Sequence, residues 1–92
     1  MANQFHVDVV AVEESVWSGD AEIVIAKTVE GELGILHGHM PLLGQLAEPS
    51  QVRIRQSSGQ DLTFEVTGGF LSVTADGVTV LAEDCQPTSP SN

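Results

Sequence analysis

Apolar and polar residues alternate with a period of two in short stretches along the chain, the pattern of half-buried strands. Phe5, Val7, Val9 and Ala11 share one face, His6 and Asp8 begin the other, and together they predict a strand over Phe5 to Val12. Val10 and Val12 blur the alternation, as expected where a strand is covered on both faces near its end. Glu13-Glu14 reads as an exposed turn, and Val16-Trp17 as a short apolar piece closed by Ser18-Gly19-Asp20. A strand over Glu22 to Thr28 follows, with Ile23, Ile25 and Lys27 alternating with Val24 and Ala26. Further strands are expected over Glu32 to Leu36, Leu42 to Ala47, Gln51 to Gln56, Asp61 to Val66, Phe70 to Thr74 and Val78 to Ala82.

The interruptions have physical causes. Glu48-Pro49-Ser50 fixes a bend, Ser57-Ser58-Gly59-Gln60 spans a hairpin, and Glu30-Gly31 and Asp76-Gly77 supply tight turns. His37-Gly38-His39-Met40-Pro41 is expected to be a loop, because glycine frees the backbone and proline removes a donor. Helical 3.6-residue spacing is hard to find, so the fold class is all-β. The recurrence of the turns suits a sandwich. After Ala82 the alternation fails, which predicts one domain over 1–85 and a disordered tail over 86–92.

Charge narrows the partners. The 92 residues include 3 basic and 13 acidic side chains, a formal net charge of −10, while 41% are hydrophobic. That hydrophobic share is too large for a disordered acidic tail, so the charge coats a folded body. A phosphate backbone or an anionic membrane needs clustered cations, and Lys27, Arg53 and Arg55 are the only Lys or Arg side chains. No nucleic acid partner and no direct membrane insertion are therefore expected, and a basic protein patch fits better. No apolar run approaches the roughly 18 residues of a membrane helix, and the N-terminus lacks signal-peptide features. The single Cys85 cannot form an internal disulfide, which fits a reducing compartment.

Few residues suggest chemistry. His37 and His39, two apart on an extended backbone, would point the same way and could begin a zinc site, with His6 or Glu32 as a distant third ligand. A small metal-binding sandwich is thus the alternative reading, against a loop whose imidazoles face a partner. The pairs Glu13-Glu14, Glu30/Glu32 and Glu83-Asp84 sit beside turns, where water keeps both carboxylates ionised. No serine lies in a nucleophile elbow, and nothing beside Cys85 would lower its pKa. Thr67-Gly68-Gly69-Phe70 has no helix after it to cradle phosphate, so its glycines suggest a bulge or close packing. Phe5, Trp17, Phe64 and Phe70 are expected mostly in the core, with Trp17 partly covered.

The run Gly31-Glu32-Leu33-Gly34-Ile35-Leu36-His37-Gly38-His39-Met40-Pro41-Leu42-Leu43 resembles the signature of the epsilon subunit of F-type ATP synthases: GELGI, two variable residues, GH, one variable residue, PLL. Val9-Val10 with Val16-Trp17-Ser18-Gly19 resembles that family's opening strand and first turn. Gly68-Gly69-Phe70-Leu71-Ser72-Val73 with Val78-Thr79-Val80-Leu81-Ala82-Glu83 resembles its closing hairpin, and the likeness runs from about residue 5 to 85.

The resemblance implies a β-sandwich of about ten strands that docks on the gamma subunit and on the polar loops of the membrane c-ring. It implies a non-catalytic rotor part with no cofactor, peripheral on the cytoplasmic face of a bacterial membrane. By position it gives Glu30, Glu32, His37 and His39 a contact role and places the stretch Leu42-Leu43-Gly44, with Leu42 and Gly44 as its interface residues, near gamma. The family's c-ring loops carry an arginine, and Glu32 is its expected charge partner, worth about 1–3 kcal/mol if desolvated and at most about 1 kcal/mol if exposed. Typical members continue into two helices that slow ATP hydrolysis and in some cases bind ATP. This sequence ends at Asn92, so neither property is carried over to it.

Overall fold

The computed structural model describes residues 4–12, 14–36, 41–56 and 59–87. Eight strands follow one another: β1 (Phe5–Ala11), β2 (Glu14–Ala21), β3 (Ile23–Thr28), β4 (Gly31–Leu36), β5 (Leu42–Gln45), β6 (Ser50–Arg55), β7 (Asp61–Thr74) and β8 (Gly77–Pro87). They pair in the order β2-β1-β8-β7-β6-β3-β4, with β5 alongside β7. Every pairing is antiparallel except β1 with β8.

The sandwich arises because β7 serves two sheets. Its first half, Asp61 to Val66, pairs with β6, and Phe70 to Val73 pairs with β5. Between them Gly68 takes φ +65°, which bends the strand, while β8 stays in register on both sides. Gly69 follows at a point where a side chain would strike the Leu81 carbonyl oxygen. The inner faces meet in one core that includes Val7, Val9, Val24, Ile54, Leu71 and Val80, all essentially without exposure. The buried Ser50 is satisfied, donating its hydroxyl to the Lys27 carbonyl at 2.7 Å.

The all-β sandwich agrees with the sequence pattern, and the differences have local causes. Among the described residues there are eight strands where ten or so were expected. Asp61–Val66 and Phe70–Thr74 are one strand, since the two glycines bend the chain without ending it. Ser18-Gly19-Asp20 is not a turn but part of β2, and Gly19 is there because Trp17 lies over it, its Cζ2 being 2.6 Å from where a Cβ would sit. Glu14 belongs to that strand too. Gln86 and Pro87, expected in the tail, pair with Glu65 and Phe64 at the end of β8, and Cys85 pairs with Val66. The rest of the expected tail, 88–92, lies outside the described residues. Among the aromatics Phe64 is buried and Phe5 and Trp17 are half-buried, but Phe70 is 49% exposed.

Candidate functional site

The GELGI run forms β4, and its start is fixed by the β3–β4 turn. Thr28 donates its hydroxyl to the Gly31 carbonyl at 2.8 Å and accepts the Glu30 amide at 3.2 Å, while Gly31 adopts φ +130°. The turn is tied to β5 by a hydrogen bond from the Val29 amide to the Gln45 carbonyl. Glu30 and Glu32 are therefore held exposed on a braced hairpin. Glu32 stands opposite Lys27 and shares with it, Gln51 and Arg53 a shallow hollow of about 290 Å³.

Among the described contact residues, Glu30 and Glu32 flank the start of β4, while Leu42 and Gly44 lie on β5. His37 and His39 themselves lie outside the described residues. Leu42 and Gly44 face inward: Leu42 packs on the core opposite Val73, and Gly44 lies opposite Leu71. The outward member of the pair is Leu43, 73% exposed. The unbroken run Pro41-Leu42-Leu43-Gly44 has no alternation from which to choose between the two leucines.

Sequence reasoning missed a second cluster, on the outer face of β1 and β2. Ser18 donates to Asp8 Oδ1 at 2.7 Å, His6 Nε2 lies 3.1 Å from that oxygen, and His6 Nδ1 lies 3.6 Å from Asp20 Oδ1. His6 and Asp8 are two apart on one strand, which was visible, but the arrival of Ser18 and Asp20 depends on the β1–β2 register. The Ser18 hydrogen bond, against some desolvation and with help from His6, holds the Asp8 carboxyl below its ordinary pKa. Ser18 Oγ also lies 3.2 Å from His6 Nε2, so hydroxyl, imidazole and the acceptor-only Asp8 carboxylate form one hydrogen-bonded group. The two carboxylates sit on opposite edges of the imidazole and do not converge on one ion. Among the described residues no three His, Cys, Asp or Glu side chains are grouped to hold a metal, and the metal-binding alternative finds no support.

Residues 4–88 match the family described as "ATP synthase, Delta/Epsilon chain, beta-sandwich domain". The chain belongs to this family. Among curated members, the "ATP synthase epsilon chain" of Frankia casuarinae is 49% identical over 82 residues, covering 89% of this chain and 95% of that protein. The protein of the same name from Corynebacterium urealyticum is 55% identical over 76 residues, covering 83% of this chain and 61% of its own length.

Solved structures agree on the fold. A chain in the Euglena gracilis mitochondrial ATP synthase (OSCP/F1/c-ring) superposes with TM-score 0.87 at 22% identity, over 98% of this chain and 57% of that one. A chain in the Tetrahymena thermophila mitochondrial ATP synthase central stalk/c-ring superposes with TM-score 0.74 at 24% identity, over 89% of this chain and 65% of that one. This delta/epsilon-family chain thus spans less than two thirds of either solved chain and nearly all of the Frankia relative.

Proposed function

We propose that this chain is the epsilon-type, non-catalytic subunit of a proton-translocating F-type ATP synthase, a rotor part that bridges the gamma subunit and the c-ring. The observation that carries this reading is the 49% identity to an ATP synthase epsilon chain that the match covers almost end to end. The fold suits the task. A close-packed sandwich deforms little, so two contact regions on one body couple two partners by geometry. The subunit is peripheral, attached through the complex at the cytoplasmic face of the bacterial membrane.

Glu30 and Glu32, on their pinned hairpin, are the residues proposed to meet a basic c-ring loop, with His37 and His39 as further rotor contacts. Leu42 and Gly44 shape the gamma side indirectly by setting β5, whose outward residue is Leu43. The domain over 1–85, with its last strand reaching Pro87, is proposed to be sufficient for both contacts.

Co-purification tests the reading. The chain should assemble with gamma and c subunits, and a Glu32→Gln, His39→Ala double variant should lose c-ring affinity while keeping the thermal melting of the parent. Undiminished recovery of the c-ring with the folded double variant would overturn the placement.

A further inference from the structure

Pairing between β3 and β6 stops at Ala26 and Val52, so the end of β3, its turn and the start of β4 continue as a two-stranded ribbon. Glu30 and Glu32 ride on this ribbon. Two strands alone hold their geometry poorly in water, so the ribbon depends on whatever ties it to the body. The ties run to the segment that leaves β5. The Val29 amide donates to the Gln45 carbonyl at 3.0 Å, the Ala47 amide donates to the Lys27 carbonyl at 3.0 Å, and Thr28 bridges Leu46 between them. Leu46 is itself buried and donates its amide to the Gly69 carbonyl at the bend of β7.

Ser50 completes this clasp. It stands at the first position of β6, whose other inward residues, Val52 and Ile54, are apolar. Ser50 is 2% exposed, the one buried polar residue among those described, and a small apolar side chain would suit the alternation better. Its hydroxyl donates to the Lys27 carbonyl at 2.7 Å, the same oxygen that accepts from Ala47. A carbonyl oxygen has two lone pairs, so both bonds are made at once. That oxygen belongs to the residue directly opposite Glu32. A buried hydroxyl so placed adds little net stability and much geometric definition.

We propose that Ser50 is a positioning residue for the acidic ribbon: by joining β3, the exit of β5 and the start of β6 at the Lys27 carbonyl, it fixes Glu30 and Glu32 relative to β5. The inference rests on the rotor reading, in which the ribbon meets the c-ring and β5 lies on the gamma side. Strands β7 and β8 run through both sheets, and this corner is a second place where backbone bonds cross from one sheet to the other. A load on the ribbon therefore reaches β5 through bonded main chain. Without the Ser50 hydroxyl β5 keeps its own ladder to β7, so the ribbon is the part that loosens. A ribbon that samples several orientations binds more weakly, in proportion to the fraction correctly placed.

Amide hydrogen exchange of the parent chain tests the clasp first: the Val29 and Ala47 amides should exchange as slowly as the ladder amides of β3. Exchange at the rate of an unstructured peptide would overturn the proposal. Ser50→Ala should speed both amides about tenfold, leave affinity for purified gamma subunit within about twofold and weaken binding to purified c-ring about threefold to tenfold. Ser50→Thr, which restores a hydroxyl, should recover c-ring affinity, and Ser50→Val, of the same shape without one, should not. Unchanged c-ring affinity of folded Ser50→Ala would overturn the positioning role. So would an equal loss towards gamma and c-ring, which marks general destabilisation, or equal c-ring affinities of the Thr and Val variants. If the parent binds neither gamma nor c-ring while both amides are protected, the rotor reading falls and the positioning role with it, although the clasp itself stands.

Discussion

Trp17 and Phe64 close the sandwich from opposite sides: their ring centroids are 6.4 Å apart at an interplanar angle of 43°. Trp17 comes from β2, at the edge of one sheet, and Phe64 from the first half of β7 in the other, so this tilted pair links the sheets through side chains alone. Gly19 makes the arrangement possible, because any Cβ there would meet the indole. Phe64→Ala should lower stability by about 3–5 kcal/mol and Gly19→Ala by about 1–3 kcal/mol. Trp17 is the chain's single tryptophan, so its emission reports directly. A red shift is expected in both variants before global unfolding, and an unshifted spectrum in Gly19→Ala would show that the indole does not depend on that space.

Two glycines outside the turns should behave in opposite ways. A Cβ on Gly69 would strike the Leu81 carbonyl oxygen and crowd the Ala82 backbone, which no side-chain rotation relieves. Relief requires β7 and β8 to separate beside the bend, so Gly69→Ala should cost at least about 3 kcal/mol in urea unfolding. Gly34, in the middle of the GELGI run, has nothing within 4 Å of the same position. Gly34→Ala should therefore change stability by no more than about 0.5 kcal/mol. Similar losses at both positions would contradict this account of the bend.

The cluster on β1 and β2 gives a pH dependence of known sign. The Ser18 hydroxyl, donating to Asp8, is the main cause of the lowered carboxyl pKa, with His6 adding to it and desolvation opposing it. Because the folded-state value is depressed, the contribution is fully present above the unfolded aspartate value of about 3.9 and is lost as pH falls through the folded value. Ser18→Ala should raise the Asp8 pKa in a carboxyl NMR titration and soften the loss of stability below about pH 4. An unmoved Asp8 titration in that variant would assign the shift to His6 instead.

Most of the sandwich was legible because turns carry their own chemistry. Asp76-Gly77, Glu30-Gly31 and the bend at Pro49 mark three connections without any tertiary knowledge. The misread segments are those where glycine serves packing. Ser18-Gly19-Asp20 has the composition of a turn, yet Gly19 is small to make room for Trp17, a reason invisible until the indole is placed. Gly68-Gly69 reads as a bulge or close packing, as it is, but only the exchange of partners from β6 to β5 shows that Asp61–Thr74 is one bent strand and not two. The residue pattern located β4 and β5, but the unbroken Leu42-Leu43 pair carries no alternation to set its phase, and the register makes Leu42 the half-buried member and Leu43 the exposed one. The Ser18–Asp8 contact spans ten residues of sequence and follows from register, which no local pattern encodes.

Cys85 offers a test of the end of β8. Burial beside the core raises the thiol pKa, and the neighbouring Asp84 carboxylate adds to the shift. The thiolate is the reactive form, so both effects keep the group protonated and slow at neutral pH. Its partner in the ladder, Val66, is fully buried, which ties access to Cys85 to the opening of that ladder. Reaction with an aromatic disulfide reagent at pH 7 should be markedly slower in the native chain than in urea. Asp84→Asn should speed the native reaction modestly by removing the adjacent charge, whereas Pro87→Gly should speed it further if fraying from the end of β8 limits access. A native rate equal to the denatured one would mean that β8 does not hold past Asp84 in solution.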